Sequence, residues 1–199
     1  MSRTTSADVL VLHAARTLGY ATATRIAERT GLPEAETTGH LLDAQACGWA
    51  TYSSFAGDGG WSLTEAGRER GERLLAAELD AAGARGAVED VLRDFLPVND
   101  VVSAACTAWQ LAEMGIGEQP VTRAATITML EEPAGVLAAL EARLTAHLAR
   151  FAGYHRRFAA ALRLASAEPA WITGTDRDSC HQVWFELHED LIATLGLTR

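Results

Sequence analysis

The sequence contains no lysine: its 17 cationic residues are all arginine, set against 26 acids, for a net charge of −9 at pH 7. A GC-rich coding bias accounts for the missing lysine better than any function does. With a pI near 5.1, the acidic total argues against a non-specific polyanion binder, although a local basic face remains compatible with it. Cysteine is scarce too. Cys47, Cys106 and Cys180 are odd in number and 59 and 74 residues apart, which excludes a disulfide framework and a CxxC metal knuckle and leaves reduced thiols in helices. Long apolar runs are missing: uncharged stretches reach about a dozen residues, as over 101–112, where a membrane-spanning helix needs roughly 18. The N-terminal apolar run is short, broken by His13, and followed by no cleavage site, so a cytoplasmic protein without a membrane contact is expected. GxSxG, phosphate-loop, dinucleotide and HExxH patterns are all absent. No cofactor and no metal are therefore expected, and an enzymatic reading has no motif to stand on.

What is present is alanine, 38 residues of it against 17 glycines and 5 prolines, within a chain that is 48% apolar and 22% charged. Such a composition suits one or two globular domains that are mainly α. The segment AAGARGA at 81–87 reads as a junction, dividing the chain into 1–82 and 83–199. In the first part, apolar residues at Val9, Leu10, Leu12 and Leu18 predict a helix ending at Gly19, and a second helix starts about Thr22 and stops at Gly31. Pro33 sits at a first helical position, opening a third helix that turns Leu41, Leu42 and Ala46 inward and ends at Gly48. WATYSSF and WSLT then read as two short strands joined by AGDGG, and Thr64 caps a further helix.

This order, with the phrase WSLTEAG leaving the hairpin, resembles the winged helix-turn-helix domain of the MarR and PadR transcription regulators over about the first 80 residues. The resemblance implies a recognition helix at 33–47 and a wing at 53–60, and hence DNA as a partner. The residues positioned to read or grip DNA are Arg25, Arg29, Thr37, Thr38 and His40, with Glu34 and Glu36 also outward. Those two carboxylates, a wing without arginine, and 7 Arg against 11 acids over residues 1–80 form a poor electrostatic footprint for that role.

The remainder is expected to be an all-α domain. Residues 87–96 predict a short helix ended by Pro97, and Asn99 a cap for the next, which carries Val102, Cys106 and Trp109 on one stripe. GIGEQP reads as a loop, VTRAATITML as helix in preference to strand, and 135–164 as a long helix kinked at Gly153. Leu137, Leu140, Leu144, His147, Phe151, Tyr154 and Phe158 fit either core packing or a seam with a second copy, since regulators of this class read paired half-sites as homodimers. In the last segment, Asp178 or Ser179 caps a helix presenting His181, Trp184, Leu187, His188, Leu191 and Leu195 on one face, with Glu186 and Glu189 solvated.

Two readings of the histidines stay open. They are core residues bonded to backbone or carboxylate, or else His155, His181 and His188 with Trp109, Tyr154, Trp171 and Trp184 line a pocket for a small aromatic or planar ligand. The functional expectation is a ligand-responsive, DNA-binding transcription regulator. The alternative is a winged helix recruited to small-molecule binding or to general acid–base chemistry, for which His181, His188 and Asp178 are the candidates, without DNA binding.

Overall fold

The computed structural model describes residues 2–55, 58–116 and 121–197. The described chain is mainly helical, with a two-stranded antiparallel hairpin set among the helices. It forms two compact units. One comprises Arg3–Arg85 together with the C-terminal residues from Glu189, and the other comprises Gly86–His188. The sequence break expected after residue 82 lies three residues before this division, and residues 189–197 go with the N-terminal residues instead of the helical ones.

In the N-terminal unit, α1 (Ala7–Leu18), α2 (Ala23–Thr30) and α3 (Glu34–Ala46) precede β1 (Ala50–Phe55), β2 (Asp58–Leu63) and α4 (Glu65–Ala82). Threonines start two of these helices: Thr22 accepts from the Arg25 amide and Thr64 from the Gly67 amide, each satisfying an otherwise orphaned N–H. Gly31, at φ 73°, supplies the left-handed residue that closes α2 and allows the tight turn into α3. The hairpin pairs Ala50 with Leu63 and Tyr52 with Trp61. Of the expected AGDGG turn, Asp58, Gly59 and Gly60 are strand residues, and 56–57 lie outside the described residues. Trp61 is bonded through both backbone groups to Ala21, so the segment between α1 and α2 pairs with the hairpin. Leu12, Ile26, Leu41, Ala44, Trp61 and Leu63 meet in one core that fixes α1, α2 and α3 against the hairpin. At roughly 25 cal/mol per Å² of apolar surface, burying each leucine or isoleucine among them is worth about 1.5–3 kcal/mol.

The helical unit contains most of α5 (Arg85–Glu113), then α6 (Arg123–Thr145), a 3-10 turn at Ala149–Phe151, α7 (Tyr154–Ala165) and the short α8 (Ala170–Thr173). The last helix, α9 (Cys180–Leu195), has its residues divided between the two units after His188. Three expectations are corrected here. Pro97 does not end a helix but lies within the continuous α5, on an exposed position, where water can serve the carbonyl of exposed Arg93 that its ring leaves unbonded. Asn99 is consequently a mid-helix residue and not a cap. Residues 135–164 do not form one helix kinked at Gly153. Instead α6 runs through Pro133 and stops at Thr145, and Gly153, at φ 103°, precedes α7 as a break. The heptad positions from Leu137 to Phe158 are thereby spread over separate elements, with Leu137, Leu140, Leu144, Phe151 and Phe158 buried as core and His147 only half-buried. Of the GIGEQP loop, 117–120 lie outside the described residues. No described helix is long and apolar enough to cross a membrane.

Candidate functional site

The exposed face of α3 is set by its buried one. Thr37, Leu41 and Ala44 point into the core, which leaves Glu34, Ala35, Glu36, Gly39, Leu42 and Asp43 in solvent. Thr37 was expected among the outward residues. It is 0% exposed, one turn before Leu41 on the inward stripe, and cannot reach a ligand on that face. Thr38 and His40 are half-buried, as are Arg25 and Arg29 on α2, both of which interact with neighbouring groups. The α3 face therefore carries three carboxylates and no cation. The hairpin presents Tyr52 and no arginine, and Tyr20 from the segment before α2 stands against it: both are 51% exposed, and the Tyr20 hydroxyl donates to the Ser53 carbonyl at 2.9 Å.

The helical unit gathers an aromatic cluster from two helices. Phe95 and Asn99, one turn apart on α5, face Trp184 and His188, one turn apart on α9. Trp184 stacks on Phe95 with centroids 4.9 Å apart and planes at 17°, its indole N–H donates to Asn99 Oδ1 at 3.2 Å, and Phe158 meets it edge-on at 5.6 Å. His188 lies 5.5 Å from Phe95. Trp184 and His188 are thus brought together, by Phe95, Asn99 and Phe158, which the sequence reasoning missed. Phe95 is followed at helical steps by Asn99, Val102, Cys106 and Trp109, and that spacing was the available signal.

The other expected ligand residues are held elsewhere. Tyr154 lies beneath the Arg157 guanidinium at 4.8 Å. Trp171 packs under Arg177 at 5.2 Å and donates its indole N–H to Glu168. The His155 amide, with that of Gly153, is held by the two carboxylate oxygens of Glu141, which cap α7. His181 is half-buried, and this burial lowers its pKa from the ordinary 6.5 by penalising the imidazolium. Trp109 is half-buried, and its indole N–H is shielded from solvent with no acceptor among the described residues.

Glu186 is not solvated. It is fully buried, accepts from Arg157 at 2.8 Å and from the Gln182 side-chain Nε2 at 3.4 Å, and Asp178 stands 3.6 Å from the same guanidinium. The reason is that α9 buries a second stripe, Val183, Glu186, Asp190 and Ala193, beside the expected one. Asp190 on that stripe lies 3.0 Å from His13 Nε2 and accepts from the Thr194 hydroxyl at 3.1 Å. His13 was legible only as a polar interruption of an apolar run. Ser179 accepts from the Gln182 amide, the position of a helix cap. Cys106 and Cys180 are buried, which pushes both thiols up to about 12, whereas Cys47 is exposed at the end of α3. Among the described residues, no group of three His, Cys, Asp or Glu could hold a metal ion.

No protein-family model, curated protein or solved structure matches the chain.

Proposed function

We propose that this protein is a ligand-responsive, DNA-binding transcription regulator of winged helix-turn-helix type, acting as a homodimer. The observation that carries the reading is the local arrangement in the N-terminal unit, where α2, a turn closed by Gly31, α3 and a paired hairpin share one core and leave one face of α3 in solvent. Thr38, His40, Arg25 and Arg29 are the side chains that would meet DNA. The exposed apolar residues Leu96, Val101 and Leu111 on α5 are what a second copy would cover. The sensor would be the helical unit, where the unsatisfied Trp109 N–H offers a donor to a carbonyl-bearing planar ligand.

A specific observation favours a second reading. Glu34, Glu36 and Asp43 all stand on the exposed face of α3, and such a face suits a winged helix retained for small-molecule binding or chemistry without DNA. Fluorescence anisotropy with duplexes tiled from the gene's own upstream region separates the two. Sequence-selective binding that weakens in Arg25→Ala and Arg29→Ala supports the regulator, and absence of any selective duplex at 50 mM salt would sink it.

A further inference from the structure

In a chain of 26 acids, residues 142–167 contain none, yet they carry five of the 17 arginines and two of the six histidines. The segment runs from the last turn of α6 through the 3-10 turn and the whole of α7. Two of its arginines are committed, Arg143 to Asp94 at 2.6 Å and Arg157 to Glu186 at 2.8 Å. Arg150 stacks over the Phe151 ring at 4.3 Å. Arg156 and Arg163 are different: both are exposed, and among the described residues neither is ion-paired to an acid. They stand seven residues apart on α7, so they share a face about 10 Å apart along the axis. The face is fixed outward because Tyr154, Phe158, Ala161 and Ala165 bury the opposite one. The nearby carboxylate of Glu141 is engaged with the Gly153 and His155 amides at 2.9 and 2.6 Å, and among the described residues it makes no ion pair with Arg156 or Arg163.

We propose that the α7 face bearing Arg156 and Arg163, with Arg150 in the preceding turn, is a phosphate-contact surface for duplex nucleic acid. The charge is complementary to a polyanion, the guanidinium is suited to phosphate oxygens, and the two free arginines are spaced to meet separate phosphates. The choice of a duplex over an acidic protein rests on the reading of the N-terminal unit as DNA-binding, whose own α3 face and hairpin supply no exposed arginine. Contacts of this kind carry no sequence information; they add affinity and salt dependence.

The test is anisotropy of the full chain with a random-sequence duplex and with the tiled upstream duplexes, titrated from about 50 to 200 mM salt. The Arg156→Ala/Arg163→Ala variant is expected to lower the slope of log affinity against log salt by about two, and to weaken random-duplex binding at least tenfold at the low-salt end. Arg156→Lys/Arg163→Lys should keep the slope, and both variants should melt as the parent does because both positions are exposed. A parent-like slope in the alanine variant overturns the inference even where upstream binding is selective, a result that leaves the regulator standing. Random-duplex binding that depends on both arginines without any selective site supports the inference while removing the regulator. Binding of polyglutamate, but of no duplex at low salt, overturns it in favour of an acidic protein partner.

Discussion

At the scale of single residues, burial decides chemistry. Cys106 and Cys180 sit in apolar surroundings that hold their thiols near 12, so at pH 8 almost no thiolate exists at either, and the thiolate is the reactive form. Cys47 alone is exposed. An aromatic-disulfide reagent at pH 8 should therefore titrate one thiol per folded chain and three in denaturant; fast reaction of two or three in the folded protein would contradict the burial. His181 makes the converse case. Its folded pKa lies below the unfolded 6.5, so in the interval between the two the unfolded chain binds the proton and the folded chain does not. The contribution is present above pH 6.5 and is lost as pH falls towards the folded value. Urea titrations at pH 7.5 and 5.5 should show parent stability falling with pH, and His181→Gln should flatten part of that fall. An equal fall in parent and variant would remove His181 as a cause.

At the scale of elements, the sequence was legible where a local signal had no competitor. Gly31, Thr64 and the aromatic- and Thr-rich runs WATYSSF and WSLT placed the helices and hairpin of the N-terminal unit, because a left-handed glycine, a capping hydroxyl and β-favouring side chains each act within a few residues. It misled where tertiary context overrode the local rule. Pro97 breaks helices by preference, but on the exposed side of α5 the lost hydrogen bond falls to water. Glu186 looked solvated, and Asp190 drew no attention, because their partners, Arg157 and His13, lie 29 and 177 residues away in sequence. The aromatic site was half legible: Trp184 and His188 share a stripe on α9, whereas Trp171 and Tyr154 are taken by arginines that no spacing pointed to. Since Trp184 is packed between Phe95 and Phe158, Trp184→Ala is a core truncation and should cost about 3–5 kcal/mol of stability. Glu186→Ala leaves a largely buried guanidinium facing Asp178 alone and should cost about 3 kcal/mol by urea unfolding. A loss within 0.5 kcal/mol would mean that Arg157 escapes to water. In the hairpin region, a Cβ at Gly67 would lie inside contact distance of the Trp49 carbonyl oxygen, so Gly67→Ala must push apart the junction of α4 and β1 and lower stability by about 1–3 kcal/mol.

For the molecule as a whole, charge is the quantity that decides the reading. The 17 arginines and 26 acids leave both units negative, with 9 Arg against 13 acids in Arg3–Arg85 and the residues from Glu189, and 8 against 13 in Gly86–His188. A duplex approaching such a molecule is repelled on average, so attraction has to come from local faces and has to be short-ranged, since the Debye length is about 10 Å at 0.1 M salt. Two faces bear oppositely on this: α3, with Glu34, Glu36 and Asp43 in solvent, and α7, with Arg156 and Arg163. Were α3 to enter a major groove, Glu34 and Glu36 in its first turn would stand beside phosphates, and removing their charge would relieve a repulsion of about 1 kcal/mol or more, equivalent to roughly a fivefold to tenfold gain in affinity. Glu34→Gln/Glu36→Gln is therefore expected to tighten binding to the selective duplex by about that factor at 100 mM salt, with the gain shrinking as salt rises. The outcome discriminates. A carboxylate that accepts a hydrogen bond from a cytosine amino group would instead lose affinity and selectivity together when neutralised, and a duplex gripped only through α7 would bind the variant and the parent alike.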